Sequence, residues 1–304
     1  MRHFLDLNDY SSEKILQLIE LAVELKRELK SGGNHPHLAG KSIALLFQKP
    51  SLRTRTSFEI GIVQLGGYAI TLGPQEVKMG VRETPADVAR ALSGYVDGIM
   101  ARVLNHGELV ELAEYASVPI INGLSDYNHP VQAFSDMLTI YERFGRIDGI
   151  KVTYVGDGNN VARSLLWASM LTGVQLSVVT PAGYGLTEDD YDRADRLKHG
   201  SASFEAFHDP QAAVKDADVI YTDVWTSMGQ EDELEDRMAA FPPYQVNSQL
   251  VAQANSDCIV MHCLPARRGL EITSEVADSP QSIIFHQAEN RMHAQKAILV
   301  DLLS

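Results

Sequence analysis

The sequence predicts an α/β protein with two doubly wound domains, each built on a mostly parallel sheet of four to five strands. Apolar runs of strand length alternate with segments of helical periodicity through most of the chain. A polar stretch at residues 143–149 interrupts this alternation, and a fresh series of strands and helices follows it. The length of 304 residues also suits two domains. Strand–helix alternation on both sides of one break therefore indicates two parallel sheets.

The first half is predicted to begin with a long helix. Ser11 or Ser12 can cap its start, and Gly32-Gly33 end it. Its apolar residues recur on one face, as expected of a helix that packs on a core. Strands are predicted next at 42–47, 68–72, 98–102 and 119–122, with helices near 51–65, 85–95, 107–116 and 130–143.

The second half is predicted to repeat the strand–helix alternation and to end in a helix. The final helix follows Phe285 and spans about 17 residues. The predicted strands of this half lie at 151–155, 175–180, 203–207, 218–222 and 258–262.

Ligands of open parallel sheets bind beyond the carboxyl ends of strands, so polar clusters that directly follow strands are candidate sites.

Composition excludes several classes of function. The chain has 26 Lys and Arg against 40 Asp and Glu, a formal net charge of −14, which disfavours nucleic acid and anionic membranes as partners. Two cysteines form no disulfide framework and no metal-site spacing, which indicates a reducing compartment. The first residues do not resemble a signal peptide, and no apolar run approaches about 18 residues. We expect a cytoplasmic protein.

A cluster of hydroxyl and guanidinium groups, Ser51-Leu-Arg-Thr-Arg55, directly follows the first strand. It occupies the first turn of the next helix, because Phe58, Ile62 and Leu65 mark that helix's buried face. Free backbone N–H groups, the helix dipole and two arginines all favour a phosphate-sized anion. The alternative is a solvated helix start that is merely well capped.

Two further polar elements follow strands in the first half. Arg102 ends the strand at 98–102, where an arginine either binds a ligand or faces solvent. His129-Pro-Val-Gln132 opens a helix, where the histidine either donates to a carbonyl oxygen or caps the helix.

Three elements follow strands in the second half. Gly156-Asp-Gly158 resembles a dinucleotide fingerprint only weakly, because the position of the third glycine is Val161. Asp223 and Ser227 supply a carboxylate and a hydroxyl suited to a charged amine. Cys263, within His262-Cys-Leu-Pro265, is either a nucleophile candidate or a buried structural thiol.

Together these clusters resemble the carbamoyltransferase family in order and spacing, from about residue 3 to residue 303. The resemblance is strongest to the members that act on ornithine. Three motifs carry the resemblance: the phosphate motif at Ser51–Arg55, the His-Pro-x-Gln motif at His129–Gln132 and the His-Cys-Leu-Pro motif at His262–Pro265. The family's last active-site arginine corresponds to Arg291 within Ala288–Arg291, and its ornithine signature corresponds to Asp223–Gly229.

The resemblance implies a complete set of site residues. The groups implied to bind carbamoyl phosphate are Ser51, Leu52, Arg53, Thr54, Lys78, Arg102, His129, Gln132, Cys263, Leu264 and Arg291. The groups implied to bind ornithine are Asn160, Asp223, Ser227 and Met228. The implied catalytic residues are Arg102, His129, Cys263 and Asp223, and the resemblance implies no metal and no cofactor.

The resemblance also implies an architecture and an assembly. Residues 1–147 would bind carbamoyl phosphate, residues 148–287 would bind ornithine, and a C-terminal helix at 288–304 would pack back on the first domain. A homotrimer, or a multiple of trimers, is implied as well.

Three positions depart from the family's pattern. Leu52 replaces a common serine or threonine, and Gln48 stands where glutamate is usual. Lys78 occupies the position of a glutamine that reaches carbamoyl phosphate in a neighbouring subunit, and a lysine can still serve a phosphate as a point charge.

The implied reaction is carbamoyl transfer from carbamoyl phosphate to the side-chain amine of L-ornithine, giving L-citrulline and phosphate. It would serve arginine biosynthesis or arginine breakdown, and the sequence leaves this direction open. The nearest alternative is another amine acceptor such as putrescine or N-acetylornithine. An NAD-dependent dehydrogenase and a non-catalytic anion-binding protein are alternatives from other classes. Whether Asp223 or Cys263 accepts the amine proton is left open by the sequence.

Overall fold

The structure is a computed structural model that describes residues 2–226 and 231–304. Its strands are β1 Ser42–Phe47, β2 Tyr68–Leu72, β3 Gly98–Arg102, β4 Ile120–Leu124, β5 Lys151–Val155, β6 Gln175–Val179, β7 Ser203–Phe207, β8 Val219–Thr222 and β9 Ile259–His262. Its helices are α1 Ser12–Lys30, α2 Leu52–Gln64, α3 Pro74–Val77, α4 Pro85–Ser93, α5 His106–Tyr115, α6 Pro130–Phe144, α7 Asn160–Thr172, α8 Glu188–Leu197, α9 Pro210–Ala213, α10 Leu234–Ala240, α11 Ser248–Val251, α12 Ser274–Ala277 and α13 Ile284–Leu303. Short 3₁₀ helices lie at Leu7–Asp9, Glu231–Glu233 and Pro242–Tyr244.

The chain forms two compact units. Unit 1 comprises Met1–Leu138 and Glu289–Ser304, and unit 2 comprises Thr139–Ala288. The sheet of unit 1 has the order β2-β1-β3-β4 and that of unit 2 has the order β7-β6-β5-β8-β9, with every neighbouring pair parallel. The predicted α/β class, with parallel sheets of four and five strands, is confirmed.

Strand order places a switch point in each sheet. In unit 1 the chain moves from β1 outward to β2 and then crosses to β3, so the carboxyl ends of β1 and β3 flank a crevice. In unit 2 the same reversal separates β5 from β8. The polar clusters singled out in the sequence follow these four strands and their neighbours β4 and β9, so each lies at the carboxyl end of its sheet, where open parallel sheets bind ligands.

The core of unit 1 lies between the sheet and its helices. The side chains of β1 from Ile43 onward are buried, because parallel strands covered on both faces read as continuous apolar runs. Helix α1 buries the face predicted for it, except that Leu29 is only half-buried. The last helix also belongs here from Glu289 onward, and Lys26 Nζ on α1 donates to Asn290 Oδ1 on α13 at 2.6 Å. The predicted return of the C-terminal helix to the first domain is confirmed.

The core of unit 2 is built around β5, β8 and β9. Val155, Ile220 and Val260 belong to one buried apolar cluster on this sheet. Helix α7 is buried along nearly its whole length, including Trp167, which is fully buried. A helix that is apolar all round is typical of a covered central element.

Several element limits differ from those predicted. Strand β4 runs two residues beyond the predicted 119–122, and α13 starts one residue before Phe285 and spans 20 residues. The one-turn helices α3, α11 and α12 were not predicted, because four residues carry no detectable periodicity. Within residues 2–226 and 231–304, every helix is too short or too polar to reach across a lipid bilayer.

Candidate active site

The first polar cluster lies where β1 leads into α2. Ser51 is the N-cap residue of α2, and its side chain makes no capping hydrogen bond to the helix. Leu52 begins the helix and is largely exposed, and the first turn contains no acidic residue. Because a helix N-terminus offers free N–H groups and a partial positive charge, this turn favours an anion.

Two arginines from distant elements converge on Thr54. This threonine is fully buried on α2, and its hydroxyl oxygen accepts hydrogen bonds from Arg102 Nη1 at 3.2 Å and from Arg291 Nη2 at 2.7 Å. Arg102 ends β3 and Arg291 lies on α13. Unit 1 therefore concentrates two guanidiniums beside the first turn of α2, although the chain as a whole is acidic.

Arg53 and Arg55 have different surroundings. The Nε atom of Arg53 is buried and has no hydrogen-bond partner among the described residues. Arg55 is more than half exposed, and its Nε donates to Glu59 Oε1 at 2.9 Å, one turn along the helix. Arg55 is therefore held by a carboxylate of its own helix.

His129 and Gln132 open α6. Burial, followed by the nearby Arg291 and Arg102 guanidiniums, holds the pKa of His129 well below its usual range. His129 is therefore a neutral imidazole with one donor and one acceptor nitrogen. Gln132 Nε2 donates to Asp136 Oδ1 at 2.9 Å, while Gln132 Oε1 is buried without a partner among the described residues.

Asn128 holds the backbone directly before His129. Its Nδ2 donates to Leu5 O at 3.2 Å and to Asp6 Oδ2 at 3.0 Å, and its Oδ1 accepts from Asn122 Nδ2 at 2.5 Å. This network ties the loop after β4 to the N-terminal segment. The sequence analysis missed Asn128, because a single asparagine in a loop carries no pattern that separates a network hub from a turn residue.

Lys78 is exposed at the end of α3 and has a φ of 46°. Within the described part of the chain, its side chain makes no hydrogen bond and no ion pair.

In unit 2, Asp223 follows β8 and is buried. Cys263 Sγ donates to its Oδ1 at 3.0 Å, and Asn159 Nδ2 donates to its Oδ2 at 2.9 Å. Asn159 also caps α7, since its Oδ1 accepts from the backbone N–H of Val161. Asn160, which is predicted to bind ornithine, begins α7 and is half-buried. The role of Asn159 in holding the carboxylate was not predicted.

The loop from His262 to Arg267 is held by a buried pair. His262 Nδ1 accepts from the backbone N–H of Leu264 at 2.9 Å, so the ring proton lies on Nε2, which donates to Glu271 Oε1 at 2.9 Å. Both side chains are fully buried. The Arg267 N–H donates to the same carboxylate oxygen at 2.6 Å. Glu271 was missed, because it lies in a loop with no motif around it.

Asp223, His262 and Cys263 offer three possible metal-ligand atoms within 4.8 Å of one another. Both nitrogens of His262 are already engaged, one with the Leu264 N–H and one with Glu271. A metal ion would therefore have to break one of these hydrogen bonds. The donor set fits a hydrogen-bonded acid–thiol pair better than a metal site.

A buried arginine supports the segment that follows Asp223. Arg237 Nη1 donates to Trp225 O at 2.8 Å and to Asp157 Oδ1 at 2.9 Å. This arrangement fixes the backbone at Trp225. The predicted ornithine ligands Ser227 and Met228 lie outside the described residues.

The two halves of the chain match two family models. Residues 2–142 match the aspartate/ornithine carbamoyltransferase carbamoyl-P binding domain, and residues 148–302 match the aspartate/ornithine carbamoyltransferase Asp/Orn binding domain.

Individual relatives are similar over nearly the whole chain. The ornithine carbamoyltransferase of Thermococcus kodakarensis is 54% identical over 98% of this chain and 95% of that protein. A solved structure of the ornithine carbamoyltransferase from Pyrococcus furiosus has a TM-score of 0.96 at 52% identity, covering 99% of this chain and 97% of that one. An acetylornithine transcarbamylase complexed with acetylcitrulline, at 32% identity and full coverage of both chains, has a TM-score of 0.90.

Proposed function

We propose that this chain, which belongs to the aspartate/ornithine carbamoyltransferase family, transfers the carbamoyl group of carbamoyl phosphate to the side-chain amine of L-ornithine, giving L-citrulline and phosphate. It is a carbamoyltransferase by family, and high-identity relatives are named for ornithine. The observation that carries the proposal is the arginine cluster within unit 1, which suits a phosphate anion. Within unit 2, a buried carboxylate–thiol pair suits an amine.

Carbamoyl phosphate is assigned to residues 1–147. The N–H groups at Ser51 and Leu52, with the guanidiniums of Arg53 and Arg291, hold the phosphate, because charge-assisted bonds and a helix N-terminus both favour an oxyanion. Gln132 Oε1, buried without a partner, suits the carbamoyl NH₂. The exposed Lys78 of a neighbouring copy supplies a further cation for carbamoyl phosphate. Cys263 and Leu264 are the remaining proposed ligands of carbamoyl phosphate.

Arg102, Thr54 and His129 are assigned to the carbamoyl oxygen. Negative charge builds on this oxygen when the amine adds to the carbonyl carbon, and fixed donors stabilise that charge. The lowered pKa of His129 keeps its imidazole neutral, and the one N–H of a neutral imidazole can donate to this oxygen.

Ornithine is assigned to residues 148–287, with Asn160, Asp223, Ser227 and Met228 as its ligands. An ammonium is not a nucleophile, so one proton must leave the side-chain amine before or during attack. We assign that proton to Asp223, because its carboxylate already accepts from Cys263 Sγ and is held in place by Asn159. The amine nitrogen then forms the C–N bond to the carbonyl carbon and the C–O bond to phosphate breaks. The departing phosphate takes the bonding electrons and the second proton that the nitrogen must lose.

A trimer is proposed as the working assembly. Apolar side chains recur on one face of α2 and on the edge strand β2 and remain exposed in the single chain, namely Leu52, Ile60, Val63, Tyr68 and Ile70. A contiguous exposed apolar face supports contact with another chain. Assembly into trimers or their multiples also brings the exposed Lys78 of one copy toward a neighbour.

The cytoplasm and arginine biosynthesis are proposed as the setting. Cys258 and Cys263 are both buried and neither forms a disulfide, which agrees with a reducing compartment. A relative from Pyrococcus furiosus, 53% identical over 98% of this chain, is named an anabolic ornithine carbamoyltransferase.

One assay tests the proposed function. The purified protein is mixed with carbamoyl phosphate and, in separate reactions, with ornithine, N-acetylornithine, putrescine or aspartate, and the carbamoylated product and phosphate are measured. We expect citrulline and phosphate in equal amounts from ornithine and little product from the others. Turnover with a different acceptor only, or binding of carbamoyl phosphate without any turnover, would overturn the proposal.

A further inference from the structure

Gln48 makes three hydrogen bonds at the point where β1 ends. Its backbone N–H donates to Arg102 O at 3.0 Å, and its side-chain Oε1 accepts from Leu104 N at 2.6 Å. Its Nε2 donates to Glu108 Oε2 at 2.5 Å. Gln48 therefore binds the chain on both sides of Val103, directly after the strand that carries Arg102.

Gln48 acts where β3 is paired irregularly on one side. The register between β3 and β4 shifts between Ala101 and Arg102, whereas the pairing with β1 stays regular up to Phe47 and Arg102. A shifted register leaves the local backbone direction less constrained by its neighbours. The backbone of Arg102 is held by Gln48 on one side, while its Nη1 reaches Thr54 on α2.

Glu108, which accepts from the Gln48 side chain, also lies close to Gly80. An added Cβ on Gly80 would come within 2.5 Å of Glu108 Oε1, the second oxygen of this carboxylate. Gly80 has a φ of 80°, which also favours glycine. The Glu108 carboxylate therefore lies between Gly80 and residue 48, and a glutamate at position 48 would place a second carboxylate beside it.

We propose that Gln48 and Glu108 are a matched pair of positioning residues that set the backbone of Arg102, and through it the guanidinium that polarises carbamoyl phosphate. The assignment of Arg102 to carbamoyl phosphate rests on the proposed function. Neither Gln48 nor Glu108 touches the substrate; both act through the chain at Arg102–Leu104.

Exchanging the glutamine and the glutamate between positions 48 and 108 tests this proposal. Gln48→Glu places two carboxylates face to face, and the like charges displace the loop. Glu108→Gln alone keeps an acceptor oxygen for Gln48 Nε2. The double variant restores one amide and one carboxylate in exchanged positions. We expect kcat/KM for carbamoyl phosphate to fall about 10- to 100-fold in Gln48→Glu and to return to within about threefold of wild type in the double variant.

Two further measurements separate positioning from general stability. KM for ornithine should stay within about twofold of wild type in all variants, since its ligands lie elsewhere. Gln245→Glu is the control, because Gln245 Nε2 donates to Gly269 O and Leu270 O, so the substitution removes a comparable amide from unit 2. The control should lower the unfolding temperature without changing the carbamoyl phosphate parameters. If Gln48→Glu does not fold, Gln48→Met removes the side-chain hydrogen bonds without adding charge, and the same loss is expected.

Calorimetric titration with carbamoyl phosphate alone makes the outcome independent of ornithine chemistry. If the wild type binds carbamoyl phosphate but makes no citrulline, the proposed function fails, while weakened binding in Gln48→Glu and its recovery in the double variant still support positioning. Unchanged affinity and turnover in Gln48→Glu would overturn the inference. So would a double variant that folds and is as impaired as Gln48→Glu.

Discussion

A single hydroxyl, that of Thr54, joins two arginines that lie 48 and 237 residues away from it in the chain. The oxygen accepts from both, so the two guanidiniums keep fixed positions before any substrate arrives. Fixed donors stabilise developing charge without reorganising during the reaction, which is the main source of electrostatic catalysis. At the residue scale, the site therefore depends on which donors are held rigidly and by which partners.

Substitutions of Arg53 and Arg55 test whether the surroundings of an arginine decide its contribution to catalysis. Arg53→Ala removes a partly buried guanidinium assigned to the phosphate, and we expect kcat/KM for carbamoyl phosphate to fall at least about 100-fold. Arg55→Ala removes an exposed arginine that is already paired with Glu59, and the expected loss is below about tenfold. Steady-state kinetics with saturating ornithine measure both. Equal losses in the two variants would contradict the separate roles.

Asp223 has two oxygens and uses both as acceptors. Asp223→Asn replaces one oxygen with a donor, so either Cys263 or Asn159 loses its acceptor and the amine loses its base. We expect kcat/KM for ornithine to fall more than about 100-fold, measured with saturating carbamoyl phosphate. Asp218→Asn is the control: Asp218 precedes β8 and accepts from Lys151 N and Asn255 Nδ2, so it should affect stability only. Normal ornithine kinetics in Asp223→Asn would point to another proton acceptor.

At the scale of elements, two glycines show how closely neighbouring segments pack. An added Cβ on Gly61, inside α2, would meet Lys296 Cγ at 3.5 Å and Met292 Cγ at 3.6 Å on α13, which are ordinary contacts. An added Cβ on Gly158 would lie 2.5 Å from the carbonyl carbon of Gly185, which no side chain tolerates. Position 158, which follows β5, therefore requires glycine because the chain packs closely against a neighbouring loop there.

Gly61→Ala is accordingly expected to stabilise the protein. Alanine favours the helix by about 0.5–1 kcal/mol over glycine, and the space on α13 accommodates a methyl group. Chemical unfolding measures the gain. Gly158→Ala, the contrasting variant, should destabilise by at least about 2 kcal/mol because backbone atoms must move. Destabilisation by Gly61→Ala would mean that α2 and α13 pack more tightly than these distances indicate.

At the scale of the whole molecule, net charge and local charge act separately. A charge of −14 favours solubility and disfavours polyanionic partners. It does not prevent unit 1 from gathering Arg53, Arg102 and Arg291 beside the first turn of α2, because nearby donors dominate the field within a few ångströms.

The pH dependence of stability follows from buried histidines. Burial, more than the neighbouring cations, lowers the pKa of His129 well below its usual range and that of His293 to about 4. Below about pH 6.5 the unfolded chain binds a proton at each position that the folded chain does not, so stability falls as pH falls from 6.5 toward 4. Asp6, whose pKa is raised to about 6 mainly by burial, acts in the opposite direction.

His293→Gln tests this linkage away from the proposed catalytic residues. The variant should lose less stability than wild type between pH 7 and pH 5, by about 1–2 kcal/mol, in unfolding experiments at the two pH values. Parallel pH slopes for the two proteins would contradict the assigned shift.

The assembly prediction also belongs to the whole molecule. Light scattering coupled to size-exclusion chromatography should give three times the chain mass of 33.5 kDa, or a multiple of that value. Val63→Glu, which places a charge on the exposed face of α2, should lower the mass, whereas Met238→Glu, at an exposed methionine of unit 2, should not. A single-chain mass for the wild type would exclude the trimer.

The sequence by itself determined the elements, the two parallel sheets and the types of residue at the site. Strand and helix signals depend on neighbours a few residues apart, so periodicity, capping residues and glycines are sufficient to predict them. The resemblance to a family placed most candidate ligands because its motifs are short and local, as in Ser51–Arg55 and His262–Pro265.

Only the tertiary structure decided which of these residues meet. Thr54, Arg102 and Arg291 converge because strand order sets β1 beside β3 and because α13 packs on unit 1, and neither fact is written in a local pattern. The same holds for Asn159 rather than Asn160 on Asp223, for the tautomer of His262, and for the Gln48–Glu108 pair. Hydrogen bonds depend on distance and direction in space, and sequence separation carries no information about either for residues far apart in the chain.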